Sequence, residues 1–437
     1  MILTETSVVE YLGQRQLLAQ GSPWSVAGSP SRNRNFSAAP AQGGPGFFVK
    51  QLRVTAPASV AMMQREATVY WLSRHDEDFA ALQGLIPPFV LFDGAEKVLV
   101  LGLVPGSRSL FHHQQALGDF PVAVGEGLGR ALAAVHQRVG LRMRSDPSRA
   151  AFPREVPGIF TAHRGGPLVQ WLGAGQMRLI DQVRKSPVLS QALDHLAATW
   201  SFDSFTHGDI KFENCVLAQV LDGEVRIVDW ELADFGDPCW DAGCIVQAYL
   251  YVCLLPFLAR RGEGLAGRLD HAGARAAAMR EALGGFWRHY AAGRASADLE
   301  RVLGCAAARL IQMALEVMHG QPEPTPQALS LLELSEEVMA RPLEAAGALG
   351  LGPVLKSPEG RTCPIYGESH ERDRDRDRQA RHTLGGRREL PDLRPGATLP
   401  PVGKGIQRDV PPGPRKTLGC RHELEDGPPG LTGPGSR

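Results

Sequence analysis

Asp209, Asn214 and Asp229 are the residues whose types and spacing could do chemistry. Asp209 and Asn214 stand five positions apart in His207-Gly208-Asp209-Ile210-Lys211-Phe212-Glu213-Asn214, and Asp229 follows Asn214 by fifteen positions in Val228-Asp229-Trp230-Glu231. One carboxylate can take or orient the proton of an attacking hydroxyl. An amide oxygen and a second carboxylate can hold a divalent cation between phosphates, so the set has the parts that phosphoryl transfer needs. Asp and Asn also cap turns, and any one of the three alone reads that way. Turn capping does not explain all three in this order, at this spacing and in a strand context.

The stretches Cys215-Val216-Leu217-Ala218-Gln219-Val220 and Val225-Arg226-Ile227-Val228 flank Leu221-Asp222-Gly223-Glu224. This is a hairpin signature, and a tight hairpin brings Asn214 and Asp229 to the same cation. Downstream comes Gly236-Asp237-Pro238-Cys239-Trp240-Asp241. Together, His-Gly-Asp with Asn five positions on, Val-Asp-Trp-Glu and this last run resemble the aminoglycoside phosphotransferase and choline kinase group of kinase-like enzymes, over roughly residues 20 to 340. The resemblance implies a two-lobed protein-kinase-like fold with ATP in the cleft and transfer to a hydroxyl of a small molecule. It makes Asp209 the base and Asn214 and Asp229 the Mg2+ ligands, offers Glu231 as a further metal ligand, and gives Asp241 a structural role anchoring the catalytic loop.

The elements expected upstream are present in order. Phe47-Phe48-Val49-Lys50-Gln51 is a short apolar strand ending near a lysine, and Gln64 to Leu72 has helical spacing with Glu66 sixteen positions beyond Lys50. In kinases such an ion pair holds the lysine on the α and β phosphates. No GxGxxG precedes Lys50. In its place stands Val26-Ala27-Gly28-Ser29-Pro30-Ser31-Arg32-Asn33-Arg34-Asn35-Phe36, where Gly28, Ser31 and Asn33 are candidates to face phosphate through a turn, since backbone amides cradle phosphate without a strict glycine pattern. The same loop also reads as a solvated basic turn carrying Arg32 and Arg34. Gly43-Gly44-Pro45-Gly46 is a simple turn before the lysine strand. Phe89 to Gly94 and Val98 to Pro105-Gly106 read as two strands across an Asp-Gly turn, with the second leading into a hinge where Gly102, Leu103 and Val104 would contact adenine. Leu128 to His136 has the spacing of a buried helix, with His136 packed at its end.

Residues 241–345 read as wholly helical, and in the resembled group such late helices choose the acceptor. From about residue 346 Gly and Pro become frequent, and Glu371-Arg372-Asp373-Arg374-Asp375-Arg376-Asp377-Arg378 alternates charge, which predicts a disordered tail. The interleaved aspartates cancel the field that phosphate binding would need. Across 437 residues the 47 basic and 47 acidic side chains balance to zero, which points to neither a nucleic-acid nor a membrane partner. The seven cysteines contain no CxxC, and Cys215, Cys239, Cys244, Cys253 and Cys305 fall in core segments, as buried thiols of a reducing compartment do. Met1-Ile2-Leu3-Thr4-Glu5-Thr6 has neither a basic start nor a long apolar run, and the apolar run from Ile245 to Leu258 is broken by Gln247 and Pro256. The expected location is cytoplasmic.

The expected fold class is α+β: a two-lobed protein-kinase-like fold with a small N-terminal antiparallel sheet lobe (1–103), a larger, mainly helical catalytic lobe (104–345) and a disordered tail (346–437). The expected cofactors are ATP and Mg2+, the catalytic pair is Asp209 with Lys211, and the partner is a small-molecule hydroxyl acceptor. Two other readings remain. Lys211 fits the Asp-x-Lys-x-x-Asn of protein kinases, where it neutralises the transferring phosphoryl group; however, only twelve positions separate Asp229 from Asp241, which leaves no room for a long activation segment. A nucleotide-binding pseudokinase is the other, and such scaffolds are free to lose Lys50, Glu66, Asp209, Asn214 or Asp229, all of which are present here.

Overall fold

The computed structural model describes residues 1–18, 23–29, 31–104, 106–139, 151–217, 225–260, 262–292 and 298–352. The Leu221 to Glu224 turn, Pro30, Pro105 and the charged stretch 371–378 lie outside them.

Helix α1 (Ser7–Gln14) precedes five strands, β1 (Trp24–Ser29), β2 (Arg34–Pro40), β3 (Phe47–Gln51), β4 (Phe89–Asp93) and β5 (Val98–Gly102), with α2 (Pro57–His75) inserted after β3. The strands form one antiparallel sheet in the order β1-β2-β3-β5-β4. Successive side chains of a strand point to opposite faces, so register decides what Lys50 meets. Val49 pairs with Val100, and Lys50 with Leu99. Val49, Val98 and Val100 pack with Val8, Tyr11 and Leu12 of α1 in a small core, while Leu99 and Leu101 join Ala67, Val69 and Tyr70 of α2 in the main core. Lys50 therefore lies on the α2 face, among the residues that can reach Glu66. Helix α1 was not expected from the sequence, although Val8, Tyr11 and Leu12 carry the three-and-four spacing of a buried helix stripe.

Beyond β5 the described residues are largely helical. A short β6 (Arg108–Ser109) leads into α3 (Leu110–Leu117), α4 (Val122–Arg138), α5 (Ile159–Ala162), α6 (Ala174–Lys185) and α7 (Pro187–Ala198). Four small strands follow: β7 (Ser204–Thr206), β8 (Cys215–Leu217), β9 (Val225–Ile227) and β10 (Asp234–Gly236). Helices α8 (Pro238–Leu254), α9 (Leu265–Ala272), α10 (Ala274–Ala292), α11 (Leu299–Val317), α12 (Pro326–Ala340) and α13 (Pro342–Ala348) complete it. Three of these helices begin with a side-chain cap followed by proline: Ser186-Pro187, Asp237-Pro238 and Thr325-Pro326, each cap oxygen accepting a backbone N–H of the first turn. Helices α4 and α10 approach closely because a Cβ at Gly125 would come within 2.1 Å of the Ala282 carbonyl, and one at Gly129 within 2.3 Å of that of Phe286. Helix α8 with the 3-10 turn after it, Pro238–Phe257, is longer than the apolar run read from the sequence, because Pro256 tightens the helix end instead of terminating it. By length and composition it could cross a membrane, but 78% of that window is buried in the protein's own core.

The start of the tail differs from expectation. Helix α13 runs to Ala348, and Leu349 and Leu351 beyond it are buried in the main core. The sequence signal there is short because the two leucines sit among glycines. Full burial of a leucine is worth about 1.5–3 kcal/mol, so a chain ending at Ala345 should be less stable than one ending at Gly352 by about 3–6 kcal/mol in urea unfolding. Equal midpoints would place the core boundary before residue 346.

Candidate active site

Strand β7 ends at Thr206, paired with Asp234 of β10, and delivers the chain into His207-Gly208-Asp209. The loop is held from below by Asp241 in the first turn of α8, whose carboxylate accepts the N–H of His207 at 2.7 Å and of Gly208 at 3.0 Å. Asp241 is 1% exposed and also meets His136 Nε2 at 3.3 Å, so His136 is packed as expected at the end of its helix. Trp240 Nε1 donates to the Gly208 carbonyl at 2.8 Å. Gly208 adopts φ of 84°, and a Cβ there would fall 2.5 Å from the Leu232 carbonyl, so no other residue fits. His207 is wholly buried; its Nδ1 accepts the Asp209 N–H at 3.2 Å, which leaves the ring proton on Nε2 to be donated to the Val228 carbonyl at 3.0 Å. One imidazole thus ties Asp209 to the residue before Asp229.

The hairpin closes the same distance from the other side. Cys215 pairs with Ile227 and Leu217 with Val225, and the Val228 N–H bonds the Asn214 carbonyl at 2.9 Å. The Asn214 amide donates to the Asp209 carbonyl at 3.0 Å. Asp229 itself is left-handed, with φ of 68° and ψ of 52°, an uncommon state for a residue with a side chain and one that clusters at functional sites.

Across from this loop, Lys50 Nζ lies 2.7 Å from Glu66 Oε2, 2.6 Å from Asp229 Oδ1 and 3.8 Å from Glu231 Oε2. Burial alone would push the lysine down, but Glu66, Asp229 and Glu231 outweigh it and hold it above its ordinary value. Burial pushes Glu66 up to about 7 against the pull of Lys50, whereas Asp229, a third exposed, is held below the usual carboxylate range by Lys50 in spite of its partial burial. Oxygens of Glu66, Asp229 and Glu231 all lie within 4.8 Å of one another. Arg32, from the turn between β1 and β2, pairs with Glu231, and Arg65 of α2 donates to the Glu231 carbonyl at 3.2 Å.

The family model of the phosphotransferase enzyme family matches residues 109–295, the stretch that holds the catalytic loop, the hairpin and Asp241. The match covers less than half of the 437 residues. No curated protein sequence matches the chain. Among solved structures it is similar to choline kinase LicA from Streptococcus pneumoniae, at 14% identity over 76% of this chain and 99% of that one, with a TM-score of 0.46. It is also similar to macrolide 2'-phosphotransferase MphH from Brachybacterium faecium, at 15% identity over 81% and 99%, with a TM-score of 0.42, and to a Plasmodium vivax ethanolamine kinase, at 8% identity over 80% and 92%, with a TM-score of 0.46.

The candidate site gathers Lys50, Glu66, Asp209, Lys211, Asn214, Asp229 and Glu231, with Lys211 Nζ 3.0 Å from Asp209 Oδ2. Ser31 and Asn33 flank Arg32 in the turn that reaches Glu231, and Asn33 is buried. Gly28 departs from expectation: it lies within β1, opposite Phe36, and its N–H donates to the Glu5 carboxylate at 2.9 Å, which puts a negative charge where a phosphate was expected. At the hinge, part of the backbone is engaged within the chain. The N–H groups of Gly102 and Leu103 donate to the Pro88 and Gly46 carbonyls at 2.8 and 2.9 Å, and the Val104 carbonyl accepts from Ser107 at 3.3 Å. Arg309 of α11, 3.1 Å from Asp209 Oδ1, was missed altogether. Its signal was a single arginine within the otherwise apolar run Ala306 to Ile311, a pattern that places a charge inside a buried helix.

Asp241→Ala should leave the His207 and Gly208 N–H groups buried without their acceptor and lower stability by about 2–5 kcal/mol in denaturant unfolding. A change below about 0.5 kcal/mol, the scale of an ordinary surface substitution, would show that the loop does not hang on this carboxylate.

Proposed function

We propose that this phosphotransferase moves the γ-phosphoryl group of magnesium–ATP to a hydroxyl of a small molecule in the cleft between the sheet and the catalytic loop. The observation that carries the reading is the joining of Asp209, Asn214 and Asp229 on one loop and hairpin, opposite a buried Lys50–Glu66 pair. The 2.6 Å contact of Lys50 with Asp229 bridges the sheet and the hairpin. Three carboxylates with oxygens within 4.8 Å of one another offer the hard oxygen ligands that a divalent cation takes. Asp229, Asn214 and Glu231 are the residues that would hold it. We assign residues 1–103 to the nucleotide side and 104–345 to the catalytic side, in a cytoplasmic enzyme.

When bound, magnesium–ATP would supply the transferable phosphoryl group, and its cation would offset the charge of the phosphates. The chain's own part is positioning and proton handling. Lys50 stays charged at neutral pH and presents an ammonium to the phosphates, held in place by Glu66. Asp209, whose side chain is 18% exposed, is open to the cleft and takes or orients the proton of the acceptor hydroxyl. Lys211, held above its ordinary value because Asp209 and Glu316 outweigh its burial, places a second cation beside the reacting centre.

A small acceptor is favoured over a peptide. Between Asp229 and Asp241 the chain makes only the 3-10 turn Trp230–Leu232 and β10 before it enters α8, which leaves no segment to dock an extended substrate. The complete set of charged residues favours catalysis over a binding-only scaffold.

Asp209→Asn should lower turnover, read as acceptor-dependent ADP release across a panel of small alcohols, by about 10²–10⁴-fold, the usual contribution of a positioned acid or base. Nucleotide affinity should stay within about twofold, because the effect belongs to the transition state. Turnover equal to wild type would remove Asp209 from the mechanism.

A further inference from the structure

Two cations meet the Asp209 carboxylate from different parts of the chain. Lys211 approaches Oδ2 from within the loop, whereas Arg309 approaches Oδ1 with Nη2 at 3.1 Å from α11, a hundred positions downstream. The Arg309 side chain is wholly buried. Its Nη1 donates to Glu316 Oε1 at 2.7 Å, and Glu316 also accepts from Gln312 Nε2 at 3.3 Å. A buried guanidinium is costly unless its charge is matched; here the two carboxylates match it through the two Nη atoms, while Nε is buried without a hydrogen-bond partner among the described residues. Burial would lower Arg309, but Glu316 and Asp209 outweigh it and hold the guanidinium firmly charged.

The other fully buried arginine among the described residues shows what a purely architectural one looks like. Arg268 on α9 donates to the Glu263 and Phe257 carbonyls at 2.7 and 3.1 Å and to Ser330 Oγ at 3.2 Å, with Glu333 at 3.4 Å, and so stitches backbone to backbone far from the catalytic loop. Arg309 instead places one Nη on each of two carboxylates, and one of these is the carboxylate that meets the acceptor. A guanidinium is a rigid planar fork, so fixing one arm on Glu316 fixes the direction from which the other meets Asp209.

We propose that Arg309 is a positioning residue for the Asp209 carboxylate, braced by Glu316, so that helix α11 sets the orientation of the group that handles the acceptor's proton. The inference rests on the function proposed above. Misplacement of a reacting group by about 1 Å can cost on the order of 10²-fold in rate, and the effect should appear in kcat and not in nucleotide binding.

Because the acceptor is unidentified, the probe is magnesium–ATP hydrolysis, in which water takes the place of the alcohol and ADP and phosphate are released. Arg309→Met should lower kcat by about 10²-fold with the KM for ATP unchanged, and Arg309→Lys should recover much of that loss. In a cycle with Asp209→Asn, the aspartate substitution should cost far less in the Arg309→Met background than in the wild type, because the unpositioned carboxylate has already lost its contribution. If Arg309→Met fails to fold, Glu316→Gln, at a half-exposed side chain, and Arg309→Lys carry the test, each expected to lower kcat severalfold at constant KM. Multiplicative losses in the cycle, or unchanged kcat in the folded variants, would overturn the role of Arg309 while leaving the phosphotransfer reading intact. Wild-type protein that neither binds nor hydrolyses the nucleotide would overturn both.

Discussion

Carboxylates sheltered from water must be paired, and the arrangement of this protein follows from how it pairs them. Asp241 is matched by two backbone N–H groups and His136, Asp209 by Lys211 and Arg309, and Asp229 by Lys50. An unpaired buried charge is destabilising by several kcal/mol, so each pairing is also a constraint on geometry. Lys50 comes from the sheet, Arg309 from α11, and the Asp241 carboxylate from the start of α8. The loop that carries Asp209 is therefore fixed by elements from the whole length of the described chain. Glu66, Asp229 and Glu231 share Lys50, with Arg32 on Glu231, and the proposed magnesium–nucleotide would join this charged group.

The scaffold serves this balance through register and close approach. Pairing of Lys50 with Leu99 puts the lysine on the face covered by α2, and a shift by one residue would turn it toward α1 and away from Glu66. The glycines of α4 let α10 come close, which places Tyr290 beside His136 and so beneath Asp241. His207 carries the linkage onward, accepting from the Asp209 N–H and donating to the Val228 carbonyl, so one ring joins the backbone at Asp209 to the backbone beside Asp229.

Local chemistry was legible in the sequence and long-range partners were not. The spacing of Asp209, Asn214 and Asp229, the hairpin between them, and the strand lysine followed by a helical glutamate are written in consecutive residues, and the structure brings them together. Gly28 was read as a phosphate contact because glycine in a polar turn suits one. Its N–H instead bonds Glu5, a residue whose approach depends on how α1 folds back onto the sheet. The hinge N–H groups of Gly102 and Leu103 have carbonyl partners from Pro88 and Gly46, neither of which the strand pattern could assign. Arg309 lies a hundred positions from Asp209, and only the packing of α11 against the catalytic loop joins them. The end of the core was misplaced for a related reason: Leu349 and Leu351 are too few to form a periodic run, yet both are buried.

In the proposed function the carboxylate cluster beside Lys50 is a magnesium–nucleotide site. Calorimetric titration of ATP into the wild type and Asp229→Ala, with and without magnesium, tests it most directly. Binding that requires magnesium in the wild type and is lost in the variant is the expected result. Binding of equal strength in the two proteins, or binding indifferent to magnesium, would contradict the claim and make Asp229 a turn residue.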